Sequence, residues 1–486
     1  MELKPLHHFL FPNLIMKHLL LFLIACASPL VAAQRPNVLF IISDDLTSTA
    51  LGCYGNKVCK TPNIDRLAAR GMRFTQAHCQ GTYCGPSRAS FLTGYYPHAT
   101  GVQGYNSPRA NIGDRATWPQ HFKNAGYYSA RVSKIYHMGV PIGIEEGSDG
   151  ADDALSWTER FNSQGPEWKA AGIGETLERN PDGKNPVMGG NTFVIVAADG
   201  DDMVHSDGKT AAKACELIDK HAQQPFFLAV GFVRPHVPFV APKKYFDLYP
   251  WEQMTLPEKV AGDWDDIPKP GINYKTSANM QMDVTRQKKA VSGYYASVSY
   301  MDAQVGKVLD ALEKSGQADH TIIIFTSDHG YHLGEHDFWA KVSLRDESVR
   351  VPLIISVPGK RPGVSDSLVE LLDLYPTTAS LCGLEIPARL QGKNIRAILD
   401  DPQAKVHDAV FSVAGTSKGY MLRDDRWVFI QYEEDASKGI ELFDMKTDPR
   451  QLTNLASSPD HASRVEEWKA KVTAKLAAVR ANDLGK

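Results

Sequence analysis

Continuous apolar runs alternate with helical patterns from Asn37 to Asp400. Such runs are typical of strands that are buried on both faces of a sheet. The runs cover Asn37 to Ile42, Tyr127 to Val132, Phe226 to Val233, Thr321 to Thr326 and Val351 to Val357. Apolar positions recur with helical spacing in Pro62 to Arg70, Gly208 to His221 and Arg286 to Lys314. This alternation predicts an α/β fold with a large, mainly parallel central sheet flanked by helices.

The pattern changes after Asp400 to short strands followed by one amphipathic helix. The predicted strands are Ala409 to Val413, Gly419 to Leu422, Trp427 to Tyr432 and Glu441 to Phe443, and the helix is Ser463 to Arg480. A chain of 486 residues is too long for one ordinary core. We therefore predict a large domain over residues 34–400 and a small antiparallel-sheet subdomain with a helix over residues 401–486.

Two long segments have little periodicity. They run from Glu145 to Asp207, which is rich in Gly, Asp and Asn, and from Trp251 to Met282. Long irregular loops in compact domains are usually functional or disordered. We interpret both as loops that shape the rim of a pocket, with disorder as the alternative.

The N-terminus resembles an export signal. Lys17 and His18 precede an apolar run from Leu19 to Ala25, and small residues up to Ala33 offer a cleavage site. We predict a signal peptide over residues 1–33. The sequence Leu-Ile-Ala-Cys26 also fits a bacterial lipobox, which would leave Cys26 lipidated. Under both interpretations the protein is exported, either to the periplasm or the medium or to the bacterial surface by a lipid anchor. The apolar run is too short for a stable membrane span.

The composition of the chain excludes few classes of function. The formal net charge of -3 gives no whole-chain argument for binding nucleic acid or an anionic membrane. Any affinity for an anion must come from locally placed Lys, Arg and His. The cysteines other than Cys26 and Cys84 show neither a disulfide framework nor zinc spacing, so we predict mostly buried free thiols. They are Cys53, Cys59, Cys79, Cys215 and Cys382.

Two polar pairs follow predicted strands. Asp44 and Asp45 end the first strand, and Asp328 and His329 end the strand that starts at Thr321. Ligands collect at the carboxyl ends of strands in such sheets, so we expect the pairs to meet. Carboxylate oxygens suit calcium or magnesium. Taken alone, an Asp-Asp pair is often a helix cap or a turn.

The most specific motif is Cys84-Gly-Pro-Ser-Arg88, which continues to Leu92-Thr-Gly94. It resembles the signature of the formylglycine-dependent sulfatases. The resemblance implies that a formylglycine-generating enzyme oxidises Cys84 to 3-oxoalanine before folding completes. One hydroxyl of the hydrated aldehyde then attacks sulfur, and the other loses its proton to expel sulfate, which splits the reaction into two easier steps. For an isolated cysteine, a buried thiol before a proline turn would be the expected alternative.

The same resemblance assigns the remaining site residues. It implies one calcium ion held by Asp44, Asp45, Cys84, Asp328 and His329, and a catalytic set of Cys84, Arg88, Lys134, His137, His236 and Lys341. Arg88 would hold the formylglycine and the neighbouring acids. His137 would take the second proton, while His236 and Lys341 would bind sulfate and protonate the leaving alcohol. Any of these cations alone would more often be a solvated surface group.

The resemblance extends over most of the chain after the signal segment and is strongest to iduronate-2-sulfatase and its bacterial relatives. A long matching stretch reads Ile324 to Lys341, and the C-terminal sequence Glu441 to Asp444 is a common sulfatase ending. The implied fold is an alkaline-phosphatase-like α/β sandwich with a small C-terminal subdomain. The implied substrate is a sulfated polysaccharide or its oligosaccharides, with the O-sulfate on a uronic acid or a neighbouring sugar. A phosphatase or phosphonate monoester hydrolase of the same superfamily, or a non-catalytic sulfate-binding protein, is the alternative, and the oligomeric state stays open.

Overall fold

The computed structural model describes residues 1–2, 35–415 and 418–485. The predicted signal peptide, apart from its first two residues, and the lipobox Cys26 lie outside the described residues. Within the described part, no helix has the length and apolar character needed to cross a membrane. The described residues from Pro36 onward form one compact unit. The division into residues 34–400 and 401–486 stays a prediction.

The strands follow the predicted order closely. They are β1 (Asn37–Asp44), β2 (Met72–His78), β3 (Tyr128–Ser133), β4 (Glu159–Phe161), β5 (Gly172–Thr176), β6 (Val194–Ala198), β7 (Phe226–Pro235), β8 (Phe239–Pro242), β9 (Thr321–Ser327), β10 (His332–Leu333), β11 (Trp339–Ala340), β12 (Arg350–Ser356), β13 (Gly363–Ser365), β14 (Val369–Glu370), β15 (Val410–Ala414), β16 (Gly419–Arg423), β17 (Trp427–Tyr432) and β18 (Ile440–Asp444).

The helices lie between these strands and at the C-terminus. They are α1 (Pro62–Ala68), α2 (Cys84–Thr93), α3 (Pro97–Thr100), α4 (Arg109–Ile112), α5 (Trp118–Asn124), α6 (Ile142–Glu146), α7 (Ser206–Lys220), α8 (Lys243–Phe246), α9 (Val284–Lys314), α10 (Asp346–Val349), α11 (Leu374–Leu381), α12 (Arg396–Asp400) and α13 (Ala462–Arg480).

One large sheet forms the centre, with strand order β13-β2-β12-β9-β1-β7-β3-β4, and β14 also pairs with β2. Strands β9, β1, β7, β3 and β4 are parallel to one another. Strand β12 is antiparallel to both of its neighbours, β9 and β2. The predicted α/β fold with a large, mainly parallel sheet is therefore confirmed.

The two faces of the sheet carry separate cores, and β1 supplies side chains to both. Leu39 and Ile41 pack with α1, α7 and α9. Val38, Phe40 and Ile42 point the other way and pack with α2, α5 and α11. All five side chains are fully buried, and burying each contributes about 1.5–3 kcal/mol. A strand buried on both faces explains why β1 reads as a continuous apolar run.

The segment from Glu145 to Asp207 is less irregular than predicted. It contains β4, which extends the large sheet beside β3. It also contains β5 and β6, which form a three-stranded sheet with β8. The loop prediction is wrong for these strands. The segment from Trp251 to Met282 holds short 3₁₀ turns and one isolated β-bridge, between Thr276 and Phe338, as expected for a loop.

The C-terminal antiparallel sheet is confirmed, with order β15-β16-β17-β18 and helix α13 packed on it. Its first strand is bonded to the chain just before α2. The amide of Val413 donates to Gln80 O, and the amide of Thr82 donates to Val413 O. The hydroxyl of Ser412 also donates to Cys79 O. The small sheet thus supports the start of α2.

The cysteines of the described residues are all free thiols. Cys59, Cys79 and Cys382 are buried, whereas Cys53 and Cys215 are partly exposed. The expectation of mostly buried free thiols is confirmed for these five residues.

Candidate active site

The pairing of β1 with β9 brings the two polar pairs together. Ser43 lies opposite Ser327 in this parallel register, so the residues that follow both strands leave the sheet side by side. Asp45 adopts a left-handed backbone conformation with φ of 65°. Its amide donates to Asp328 Oδ1 at 3.3 Å. Residues about 280 positions apart in the sequence thus share one edge of the sheet, as predicted.

Cys84 is the first residue of α2 and faces this edge. Its thiol lies 3.3 Å from Asp44 Oδ1, 3.4 Å from His329 Nε2 and 3.5 Å from Lys341 Nζ. The residue is 1% exposed. Burial, reinforced by Asp44, raises the pKa of the thiol above its usual value. An unmodified Cys84 would therefore be a poor nucleophile, because the thiolate is the reactive form.

Three buried cations surround the acids. Arg88 lies one helical turn after Cys84, and its Nε donates to Asp328 Oδ2 at 2.9 Å while its Nη2 donates to Asp44 Oδ1 at 3.3 Å. Lys134 Nζ pairs with Asp44 Oδ2. Lys341 Nζ donates to both oxygens of Asp45, at 2.7 and 3.0 Å. These cations are structural partners of the acids as well as candidate sulfate ligands.

The acids stay ionised because of these neighbours. Burial alone would raise the pKa of Asp44, but Lys134, His236 and Arg88 hold it well below its usual value. His236 and Lys341 do the same for the pKa of Asp45 against the effect of burial. Burial likewise opposes the charge on Lys341, yet Asp45 and Cys84 raise its pKa well above the usual value. Ionised carboxylates are the form that a metal ion needs.

His236 and His137 approach the acids from two further loops. His236 Nε2 lies 3.7 Å from Asp45 Oδ2, and its Nδ1 bonds to the carbonyl of Val237. Burial lowers the pKa of His236 to about 3. Burial, together with Lys134, lowers the pKa of His137 to about 2. Both imidazoles are therefore neutral near pH 7, and at that pH the positive charge that keeps the acids ionised comes from Arg88, Lys134 and Lys341.

All ten predicted site residues are thus at or beside one centre, with two departures in detail. The carboxylate of Asp328 turns mainly toward Arg88, although its Oδ2 is 3.7 Å from His329 Nε2. His137 makes no hydrogen bond to the other predicted site residues within the described chain. Instead its ring stacks on Tyr105 at 3.9 Å between centroids. The roles assigned to these residues stay predictions.

Tyr105 is a site residue that the sequence did not indicate. It is 53% exposed and covers His137. Its loop reaches the site because Gly85 has no side chain: a Cβ there would collide with Gly104 O and lie 3.3 Å from the Tyr105 ring. A lone tyrosine in a loop carries no motif, so only the glycine within Cys-Gly-Pro-Ser-Arg hinted at a close backbone approach.

A buried ion pair fixes the His236 loop and was also missed. Arg234 pairs with Glu167, and its Nη1 donates to His236 O at 2.8 Å. Its backbone amide donates to Asp207 Oδ2 at 2.9 Å. Glu167 and Asp207 belong to the segment that the sequence left without structure, so their pairing with Arg234 could not be foreseen.

Gly231 on β7 lets Lys134 approach the sheet. A Cβ at Gly231 would collide with Lys134 O and lie 2.5 Å from the Lys134 carbonyl carbon. We expect Gly231→Ala to lower the free energy of unfolding by about 1–3 kcal/mol. We also expect a lower kcat, because Lys134 must move away from Asp44. Chemical denaturation and steady-state kinetics measure the two effects.

Gly174 on β5 provides the matched control, because the nearest atoms to its added Cβ are 3.8 Å away. Gly174→Ala should leave kcat unchanged and alter stability by less than Gly231→Ala. Equal behaviour of the two variants would contradict the close packing at Lys134.

The donor set fits a divalent cation. One ligand atom from each of Asp44, Asp45, Cys84 and His329 lies within 4.8 Å of the others, and all four residues are buried. His329 Nδ1 bonds to Gly330 O at 2.9 Å, which directs Nε2 toward the acids. Burial lowers the pKa of His329, but Asp328, Cys84 and Asp45 outweigh it and raise this pKa well above the usual value. The acids therefore stabilise positive charge at this point.

Comparison with known proteins gives the family of this centre. The model of the Sulfatase family matches residues 36–384, which is most of the chain. The chain belongs to the sulfatase family. A second model, the C-terminal region of N-sulphoglucosamine sulphohydrolase, matches residues 334–480 and covers the small sheet and α13. As a sulfatase, the protein is a hydrolase of sulfate esters.

Individual relatives of this sulfatase agree. A sulfatase of Formosa agariphila is 33% identical over 450 residues, covering 90% of this chain and 86% of the relative. Iduronate 2-sulfatase of Homo sapiens is 37% identical over 397 residues, covering 73% of this chain and 70% of the human protein. The solved structure of a phosphonate monoester hydrolase from Silicibacter pomeroyi has a TM-score of 0.73 at 22% identity, covering 92% of this chain and 95% of that chain. This last likeness shows the fold alone, which is the alkaline-phosphatase-like sulfatase fold.

Proposed function

We propose that this sulfatase removes an O-sulfate from a uronic acid, or from a neighbouring sugar, in oligosaccharides derived from sulfated polysaccharides. Cys84 would act after conversion to formylglycine by a formylglycine-generating enzyme, with one calcium ion in the site. The observation that carries the proposal is the position of Cys84 Sγ, which contacts Asp44, His329 and Lys341 at 3.3–3.5 Å. The reactive atom thus lies where acids, a metal ligand and a cation converge.

Charge favours an anionic substrate at this point. Asp44, Asp45 and Asp328 are balanced by Arg88, Lys134 and Lys341. A bound divalent cation would give the centre an excess of positive charge, which the single negative charge of a sulfate monoester would partly offset. Calcium matches the carboxylate oxygens of Asp44, Asp45 and Asp328 better than a soft transition metal does.

Calcium and formylglycine would supply different chemistry. Calcium held by Asp44, Asp45, Asp328 and His329 would polarise the sulfate oxygens and lower the pKa of a hydroxyl on residue 84. A hydrated formylglycine at position 84 would supply that hydroxyl in place of the thiol.

The protein's own side chains would bind the ester and move its protons. Lys134 pairs with Asp44 and Lys341 pairs with Asp45, so the two ammonium groups can donate to separate sulfate oxygens. His137 has a neutral ring, and its Nδ1 has no hydrogen-bond partner among the described residues, so it can accept a proton. The hydrogen bond to Val237 O leaves Nε2 of His236 facing Asp45. This nitrogen carries no proton near pH 7 in the free site, so His236 would donate a proton to the leaving alcohol only after the bound anionic ester has favoured its protonated form.

The uronic acid substrate is supported by the human relative, which is named iduronate 2-sulfatase and shares 37% of its residues with this chain over 397 positions. Export is proposed from the signal-like N-terminus, with Cys26 as a second route to a lipid anchor. A phosphonate monoester hydrolase shares the fold at 22% identity. The family models and both named sulfatases favour sulfate over phosphonate.

The proposal is tested by one preparation and two measurements. Mass spectrometry of the peptide that contains Cys84 should show the mass loss that accompanies replacement of a thiol by an aldehyde. The same protein should release sulfate from uronic acid sulfates in a panel of glycosaminoglycan and algal oligosaccharides. An unmodified Cys84 in the active enzyme would refute the proposal that formylglycine is the catalytic group. Faster cleavage of matched phosphonate esters, or cleavage of aryl or choline sulfates only, would refute the substrate.

A comparison of two leaving groups tests whether His236 or Lys341 protonates the leaving alcohol. Lys341 is held by Asp45 and Cys84, whereas His236 Nε2 is 3.7 Å from its nearest acid, which is beyond hydrogen-bond distance. We expect His236→Ala to lower kcat about 10²-fold or more on an alkyl sulfate, and less on 4-nitrophenyl sulfate, whose leaving group needs no proton. Lys341→Ala should slow both esters equally.

Steady-state kinetics on both esters measure this selectivity. An equal loss for His236→Ala on the two esters, with a selective loss for Lys341→Ala, would assign the proton donor to Lys341 instead.

A further inference from the structure

A cavity of about 840 Å³ lies beside the start of α2 and takes no part in the chemistry described above. Tyr83 and Pro86, which flank the Cys84–Gly85 pair, line one side. Gly415 and Lys418, which follow β15 and precede β16, line the other side together with the turn that joins β17 to β18, and Arg480 of α13 also reaches it. This volume lies in the range of small-molecule sites. The cavity therefore has room for a sugar residue.

Aromatic rings connect the cavity to the catalytic centre. Tyr83 packs edge to face against Tyr105 at 6.0 Å, and Tyr105 stacks on His137. Deeper in the cavity wall, His98 stacks on Tyr420 at 5.7 Å with 20° between the rings. Flat rings with polar edges suit a ligand with apolar faces and many hydroxyl groups. A sugar ring has this character.

The charges that line the cavity are balanced. Lys418 lies 3.2 Å from Glu433, and Arg480 donates to Glu434 at 3.0 Å. The remaining charged lining residues, Asp435 and Lys438, have opposite signs. Among the described lining residues, there is thus no excess of cations for a second sulfate. Burying an unpaired sulfate here would cost free energy, whereas hydroxyl groups can bond to either sign.

We infer that this cavity binds an uncharged hexose or N-acetylhexosamine residue that is joined to the sulfated sugar. The inference rests on the proposed function and adds to it the chemistry of the neighbouring residue. It predicts that the protein prefers oligosaccharides in which the neighbouring sugar carries no sulfate. The sulfate that is removed is on the other sugar, the one at the catalytic centre.

Three substrates test the inference on the mature enzyme. They are a 2-O-sulfated uronic acid, the same sugar joined to an uncharged N-acetylhexosamine, and the same disaccharide with a 6-O-sulfate on the hexosamine. We expect kcat/KM to be about tenfold higher for the uncharged disaccharide than for either of the other two. Equal values for the three substrates, or the highest value for the doubly sulfated disaccharide, would overturn the inference.

Ser437 is the residue to change, because it is exposed, lies on the β17–β18 turn and lines the cavity. Ser437→Trp should fill the cavity and lower kcat/KM about tenfold for the uncharged disaccharide only. Ser463, an exposed serine on α13 away from the cavity, is the matched control, and Ser463→Trp should change nothing. Equal losses in both variants, or a loss on the monosaccharide as well, would overturn the inference.

A binding measurement separates this inference from the proposed function. The unsulfated disaccharide of uronic acid and N-acetylhexosamine is titrated calorimetrically into the wild type and both variants. Binding to the wild type and Ser463→Trp, but weaker binding to Ser437→Trp, supports the cavity even if none of the sulfated substrates is cleaved. Equal binding by all three proteins, or binding by none, refutes it.

Discussion

Replacing Cys84 by alanine will abolish sulfate release, with kcat lower by about 10⁴-fold or more. The reason is chemical, because the substitution removes the atom that becomes the nucleophile and leaves the surrounding acids and cations in place. The fold should persist, since alanine suits the first turn of α2 and the side chain it replaces is small. Initial rates on a uronic acid sulfate measure the loss, and circular dichroism with thermal unfolding verifies the fold.

Cys215 is the control for this substitution, because its thiol is partly exposed and donates to the backbone carbonyl of Lys307 on α9 at 3.4 Å. Cys215→Ala should keep the wild-type rate. Residual turnover of Cys84→Ala within tenfold of the wild type would exclude residue 84 as the nucleophile. A large loss in both variants would indicate damage to the fold instead.

Replacing Asp45 by asparagine should lower kcat/KM on the order of 10³-fold and weaken calcium binding. The carboxylate of Asp45 accepts from Lys341 at 2.7 and 3.0 Å and lies 3.2 Å from His329 Nε2. Asparagine keeps the shape but removes the charge that a cation needs, and it leaves the buried Lys341 with less compensation. Activity should be measured after chelation and during calcium titration. The wild-type enzyme should recover its full activity on addition of calcium. The variant should need a far higher calcium concentration to reach half of its maximal activity.

Asp202→Asn is the matched control, since Asp202 also pairs with lysines, Lys244 and Lys307, but lies apart from the catalytic acids. Its calcium response should equal that of the wild type. If chelation left the wild type fully active, or if Asp45→Asn titrated like Asp202→Asn, the metal site would be refuted.

Much of the scaffold could be predicted because its local signals agree with its tertiary structure. The run from Asn37 to Ile42 is apolar at every position after the first since β1 is buried on both faces, and its burial marks the centre of the sheet. Asp44 and Asp328 were then expected together because parallel strands end at one edge. The direction of β12 could not be predicted, since an apolar run carries no information on whether its neighbours are parallel.

The parts that were missed depend on contacts between distant segments. Strand β5 has an exposed face and begins with two glycines in three residues, so its pattern resembles a loop, and it becomes a strand only by pairing with β6. Tyr105 reaches His137 over the backbone of Gly85, and no spacing in the sequence encodes that approach. The ion pair of Arg234 likewise could not be predicted, because its partner Glu167 lies 67 residues away.

The bonds between β15 and the chain before α2 also order events during synthesis. Ser412, which donates to Cys79 O, follows that residue by 333 positions. Residues 79–82, which lead to Cys84, therefore cannot pair with β15 until most of the polypeptide has left the ribosome. Under the proposed function, a formylglycine-generating enzyme would have this interval in which to reach Cys84 before β15 pairs with the chain in front of it. A slower translation of the C-terminal part would then lengthen the time available for maturation.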